Sequence, residues 1–159
     1  MTDQAFQDTY SDEHSICYGC GRLNPHGLKI RSFWEGDESV CRFTPQPYHT
    51  AVPGYVYGGL IASLIDCHST GTAAAAAYRT AGRPMGTGEE IRFVTASLQV
   101  TYLHPTPIDA VLEVRGRVKA IDGRKVVVAS TLSAKGRICA HGEVVAVQLT
   151  RPLGQGASR

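Results

Sequence analysis

Apolar and polar positions divide the chain into one helical stretch set among strand-like ones. From Gly54 to Thr80 (GYVYGGLIASLIDCHSTGTAAAAAYRT), Leu60, Ile61, Leu64 and Ile65 recur at helical spacing behind Gly58 and Gly59, and Ala73 to Ala77 are the strongest helix former. At about 100° per residue, Ile61, Leu64, Ile65, His68 and Thr72 fall on one face, with Ala62, Asp66, Ser69, Ala73 and Ala77 roughly opposite. Asp66 therefore points away from the apolar stripe, on a face of small side chains that lets another surface approach closely. Burying that carboxylate unpaired would cost several kcal/mol or raise its pKa. It is either a solvated acid that merely flavours the helix or a carboxylate kept for chemistry.

Around this helix the period changes to two. Leu28 to Trp34 alternates, and Ser39 to Phe43 alternates again after the Gly36-Asp37 turn, which predicts a hairpin. Pro45, Pro47, Pro53 and Gly54 keep the intervening loop extended, with His49 and Thr50 on it. After Thr80 a Gly-rich connection (GRPMGTGEE) leads to Phe93–Leu103, Val111–Ile121, Lys125–Ala134 and Ile138–Leu149, the last three Val-rich and separated by turns such as Asp122-Gly123 and Lys135-Gly136. Two strands, one long helix and four strands with short turns predict an α+β domain whose antiparallel sheet of about five to six strands wraps the helix.

Length and charge narrow the picture. The chain's 159 residues suit one domain, expected over 16–150, with a disordered arm at 1–15 and a frayed tail at 151–159. The net charge of +2 comes from scattered Lys and Arg, without the basic run of a nucleic-acid footprint. Residues 1–15 lack a signal-peptide pattern, and no segment has the length and apolarity of a membrane span. Five cysteines, an odd number, favour reduced thiols, so the cytoplasm is the expected compartment.

Cys17-Tyr18-Gly19-Cys20 has the spacing of half a zinc site, which His14 and His26 would complete on paper. The other reading is a Gly-rich turn with two small buried thiols. A lone CxxC is a weak signal, so no metal and no cofactor are expected.

The opening CYGCGRLNPHGLKI, the loop PYHTAVPGYV, the helix start YGGLIASLID and the strand TASLQVTYLHPTP together resemble the PaaI-like acyl-CoA thioesterases of the hotdog fold, the 4-hydroxybenzoyl-CoA thioesterase superfamily, over roughly residues 17–149. The resemblance implies a curved sheet wrapped around the central helix, an acyl-CoA substrate, and a homodimer or homotetramer with its active sites at the subunit interface. In that family a His-Gly-Gly helix start is followed by a catalytic acid seven residues after the second glycine; Asp66 holds that place after Gly59. Gly59 is then the implied oxyanion donor, through a helix N-terminal N–H. Asp66 acts as general base on water, the preferred route, or attacks directly to give a mixed anhydride. Thr95 matches a Ser or Thr that the family contributes across the dimer interface to hold the acid. Its alternative is an ordinary β-branched strand residue.

Tyr57, Gly58, His49 and Thr50 are the implied substrate-binding positions. Tyr57 stands where the family usually has His, and Thr50 where relatives often carry an amide. Tyr57 keeps a hydroxyl but is larger than His and titrates near pH 10. Phe93, Tyr55, Tyr57 and the Ala-rich helix face are candidates for an apolar acyl pocket, or for core packing.

Two other functions compete. A hotdog hydratase would pair a loop His such as His49 with an acid five residues after Gly54, where this chain has Gly59. A non-catalytic acyl-CoA binding module is suggested by Tyr57 and the missing amide.

Overall fold

A computed structural model of the protein describes residues 3–151. It contains strands β1 (Ser32–Glu35) and β2 (Glu38–Phe43), helix α1 (Gly58–Thr80), and strands β3 (Phe93–Tyr102), β4 (Leu112–Asp122), β5 (Lys125–Ala134) and β6 (Arg137–Gln148). All six strands join one antiparallel sheet in the order β1-β2-β4-β5-β6-β3. The expected hotdog architecture, a curved sheet around one long helix, is what the chain adopts. The turns close as the sequence predicts: Lys135 and Gly136, both with positive φ (50° and 75°), form the two-residue turn between β5 and β6.

The β5 burial pattern shows how the sheet holds the helix. Val126, Val128, Leu132 and Ala134 point inward and are buried, with polar or partly exposed residues between them. Against them lie Leu60, Ile61, Leu64 and Ile65 of α1. The second half of α1 is enclosed more completely than its own amphipathicity predicts. Ser69 and Ala73, expected on the open face, are fully buried. Ser69 hydrogen-bonds Ser130 of β5 at 2.9 Å, because a curved sheet covers more of the helix circumference than a flat one.

His68 is also fully buried. Its Nδ1 lies 2.9 Å from Ser32 Oγ and its Nε2 2.9 Å from Ser39 Oγ, with Ser39 Oγ 2.6 Å from Thr72 Oγ1. Burial lowers the His68 pKa to about 3, so the ring is neutral and serves as a polar rivet between α1 and the first hairpin.

Three expectations from the sequence need correction. Residues 5–15 are not a loose arm: they form two 3₁₀ turns (Phe6–Thr9, Asp12–His14), and Phe6, Gln7 and Tyr10 are buried. Gln7 accepts the Ser32 N–H at 2.8 Å, so a segment poor in apolar residues is anchored by a buried polar contact. The helix begins at Gly58, not Gly54, because Gly54 (φ 89°) lies in a tight turn closed by the Tyr55 N–H on the Val52 carbonyl, and Tyr57 (ψ 131°) is still extended. Strand β1 begins at Ser32 and not at Leu28. Lys29 adopts φ 58° and its ammonium caps the carbonyls of Gly21, Arg22 and Asn24, which breaks the extended run. The expected tail falls almost wholly on residues outside the described span. Among the described residues, no helix is long and apolar enough to cross a membrane.

Candidate active site

Asp66, Cys67, Thr70 and Ala74 form a stripe of α1 that faces the edge strand β3 and the N-terminal turns. Between them is a cavity of about 210 Å³, also lined by Tyr10, Cys17, Cys20 and Arg92–Thr95. Thr95 Oγ1 donates to Asp66 Oδ1 at 2.5 Å, joining the helix acid to the strand that follows it in sequence. Asp66 Oδ2 has no hydrogen-bond partner among the described residues. The β3–β6 register slips between Thr95 and Ser97, a bulge that re-aims side chains just where Thr95 meets the helix. This hydrogen bond joins Thr95 and Asp66 of one chain, whereas the resemblance implied that Thr95 reaches the acid of a partner across the dimer interface. The chain crosses from the end of α1 to β3 alongside the helix, which brings residue 95 back to residue 66.

The helix N-terminus is a separate place. Neither Gly58 nor Gly59 N–H finds a hydrogen-bond partner among the described residues, as the first turn of a helix requires unless something caps it. Tyr57 precedes them, is 58% exposed and offers no side-chain cap. Its ring lies over Gly59, where a Cβ would come within 2.3 Å of a ring carbon, so any side chain there would displace the exposed Tyr57 ring. Tyr102 Oη donates to the Gly58 carbonyl at 2.7 Å and fixes this corner to β3, a contact the sequence did not suggest.

The loop residues are placed close by with different roles. His49 Nδ1 accepts the Gln46 N–H at 2.9 Å, burial lowers the ring's pKa, and the His49 carbonyl accepts the Tyr57 N–H at 2.9 Å. His49 thus shapes the loop through its backbone. Thr50 Oγ1 donates to the carbonyls of Val52 or Tyr55 (3.1 and 3.3 Å), so its hydroxyl is spent inside its own turn. Of the apolar candidates, Phe93 is buried and lines the cavity, whereas Tyr55 is exposed.

Cys17, Cys20 and Cys67 converge on the same cavity, with their sulfurs within 4.8 Å of one another. His14 and His26 do not take part. His14 Nδ1 lies 2.8 Å from Glu90 Oε2, and His26 is exposed. The Cys17 thiol is pulled below the ordinary cysteine range, first by a hydrogen bond from Cys20 and then by one from Cys67. The contact with Cys17 pushes Cys20 up to about 12 and, together with that of Cys20, raises Cys67. Cys67 is the residue that sequence reasoning missed; its signal was adjacency to Asp66 and Thr70 on the same stripe. Arg92 also went unnoticed. Its guanidinium lies 4.2 Å from the Tyr10 ring centroid, and its Nε is buried without a partner.

Comparison with known proteins bears on the family and the fold. A thioesterase superfamily protein from Shewanella loihica PV-4 is 47% identical and superimposes with a TM-score of 0.64, over 79% of this chain and 96% of that one. The PaaI protein of the Escherichia coli phenylacetic acid degradation operon shares the fold at 13% identity (TM-score 0.62, 77% of this chain and 80% of that one). Acyl-coenzyme A thioesterase THEM4 of Xenopus laevis is 35% identical over 108 residues, which is 68% of this chain and 43% of that protein. The chain thus spans less than half the length of this curated relative. With the helix acid, its threonine partner and the open helix N-terminus all inside or beside residues 53–140, the segment that matches the family's pattern, the chain belongs to the thioesterase superfamily.

Proposed function

We propose that this chain hydrolyses the thioester of an acyl- or aryl-CoA, with Asp66 as the base that activates water. The Thr95–Asp66 hydrogen bond carries this reading, because it holds Oδ1 and leaves Oδ2 directed to chemistry. Oδ2 takes a proton from water as the water oxygen bonds to the thioester carbon. The carbonyl oxygen becomes an oxyanion, which the Gly59 N–H at the positive end of α1 stabilises. Collapse breaks the C–S bond, and the departing CoA thiolate takes the proton from Asp66. Direct attack by Oδ2 would give a mixed anhydride instead; single turnover in ¹⁸O-water, which labels Asp66 only by that route, separates the two. The name of the Xenopus relative supports the substrate class.

The same geometry argues for two copies. Gly59 and Asp66 are seven residues apart on one helix, about 10 Å along its axis. A reacting carbon needs its base and its oxyanion donor each about 3 Å away. One helix therefore does not serve one thioester alone. We assign Asp66 and Thr95 to one protomer and Gly59, Gly58 and Tyr57 to a second, in a homodimer or a tetramer built from it. Strand β3 supports this, since it forms an edge of the sheet and Thr95–Gln99 are exposed along it. All five cysteines are free, which suits a reducing compartment such as the cytoplasm.

A second reading, acyl-CoA binding without turnover, is favoured by the Tyr57 ring packed over the Gly59 N-terminal turn. Release of thiol from short, long and aryl acyl-CoAs, followed with a chromogenic thiol trap, decides between them. Turnover of any member supports hydrolysis; binding of several without thiol release moves the assignment to the binding module.

A further inference from the structure

We propose that Cys17, Cys20 and Cys67 form a three-thiolate site for a zinc-class metal ion, which ties the N-terminal loop to helix α1 beside the catalytic cavity. Cys17 and Cys67 lie 50 positions apart in sequence, yet their sulfurs are 3.8 Å apart and all three sulfurs fall within 4.8 Å of one another. A tetrahedral zinc ion with Zn–S bonds of about 2.3 Å places its sulfurs roughly 3.8 Å from each other. The observed edge matches that spacing and is far longer than the roughly 2.05 Å of a disulfide.

The surroundings are built for thiolates. A Cβ on Gly19 would come within 2.2 Å of Cys67 Sγ, so glycine between the two loop cysteines is what lets the loop reach the helix thiol. Three thiolates around a dication leave one negative charge. Arg92, with its Nε buried and unpartnered, lines the same cavity and offsets it. All three cysteines line the cavity, so the fourth coordination position opens into it and takes water; no histidine is at hand, His14 being held by Glu90 and His26 exposed. Filling the site releases the thiol protons to solvent and fastens residues 17–20 to the helix. The site does not depend on thioester hydrolysis, since neither Asp66 nor Gly59 is a ligand.

The test uses the full chain, purified under reductant, stripped with a chelator and titrated with cobalt(II). One equivalent per chain is expected, with thiolate-to-cobalt charge-transfer absorption that zinc(II) abolishes by displacement. Cys67→Ser should weaken binding on the order of 100-fold or more, whereas His14→Ala should leave it unchanged. Zinc should also raise the Tm of the wild type but not of Cys17→Ser/Cys20→Ser, a measurement that stands even if Cys67→Ser folds poorly. Binding of less than about a tenth of an equivalent by a protein whose thiols titrate as free would overturn the proposal. So would Cys67→Ser binding as tightly as the wild type, or a disulfide among these cysteines in protein kept under reductant.

Discussion

Thr95 Oγ1 donates to Asp66 Oδ1 at 2.5 Å within a single chain, which makes the helix acid a held group and not a free surface carboxylate. A short hydrogen bond to an ionised acceptor is among the stronger polar contacts in a protein. Replacing Asp66 by Asn keeps the shape and the contact but removes the base. Turnover should fall by about 10²–10⁴-fold, with the oligomer and acyl-CoA binding retained. Steady-state kinetics and unfolding measured on the same preparation check this. A folded Asp66→Asn protein with near wild-type turnover would leave the binding-module reading ahead.

Thr95 is a positioning residue, and its contribution is separable from simple packing. Thr95→Val keeps the β-branched shape that suits an edge strand and loses the hydroxyl, so kcat should drop about 10- to 100-fold with little change in stability. Thr95→Ser should restore most of it. If the Val and Ser variants have equal kcat, the hydroxyl plays no part in the reaction.

A site divided between two chains predicts complementation. Gly59→Pro removes the oxyanion N–H at a first-turn position where the backbone tolerates proline, its ring displacing the exposed Tyr57 side chain, and Asp66→Asn removes the base. Each should be inactive alone. Mixing the two under exchange conditions should recover about a quarter of wild-type activity, because half of the dimers are mixed and each has one intact site. No recovery, or a fully active monomer in sedimentation, would refute the shared site.

The His68 rivet predicts acid sensitivity of a definite sign. The folded state holds the imidazole neutral down to about pH 3, whereas the unfolded chain binds the proton near pH 6.5. Above about pH 6.5 both states are neutral and the group is silent. As pH falls from there towards 3, only the unfolded state gains the proton, so stability drops by about 1.4 kcal/mol per unit from this residue. Urea unfolding at a series of pH values should show that slope, reduced in His68→Asn. Equal slopes in both proteins would assign the acid sensitivity elsewhere.

The sequence by itself determined the elements and the acid. The spacing of Leu60, Ile61, Leu64 and Ile65 and the alanine tract require a helix, and Lys135-Gly136 requires a tight turn, because these signals act over a few residues. Asp66 stood out because it is an ionisable group in an otherwise uncharged helix interior. Tertiary structure decided which side chains meet. It carried β3 past β6 to the edge of the sheet, set Thr95 against Asp66 in the same chain, and brought Cys67 to Cys17 and Cys20. It also buried Phe6, Gln7 and Tyr10, whose neighbours gave no periodic signal. These outcomes depend on strand order and on how far the sheet curves around the helix. Both are properties of long-range pairing, which local propensity and period do not encode.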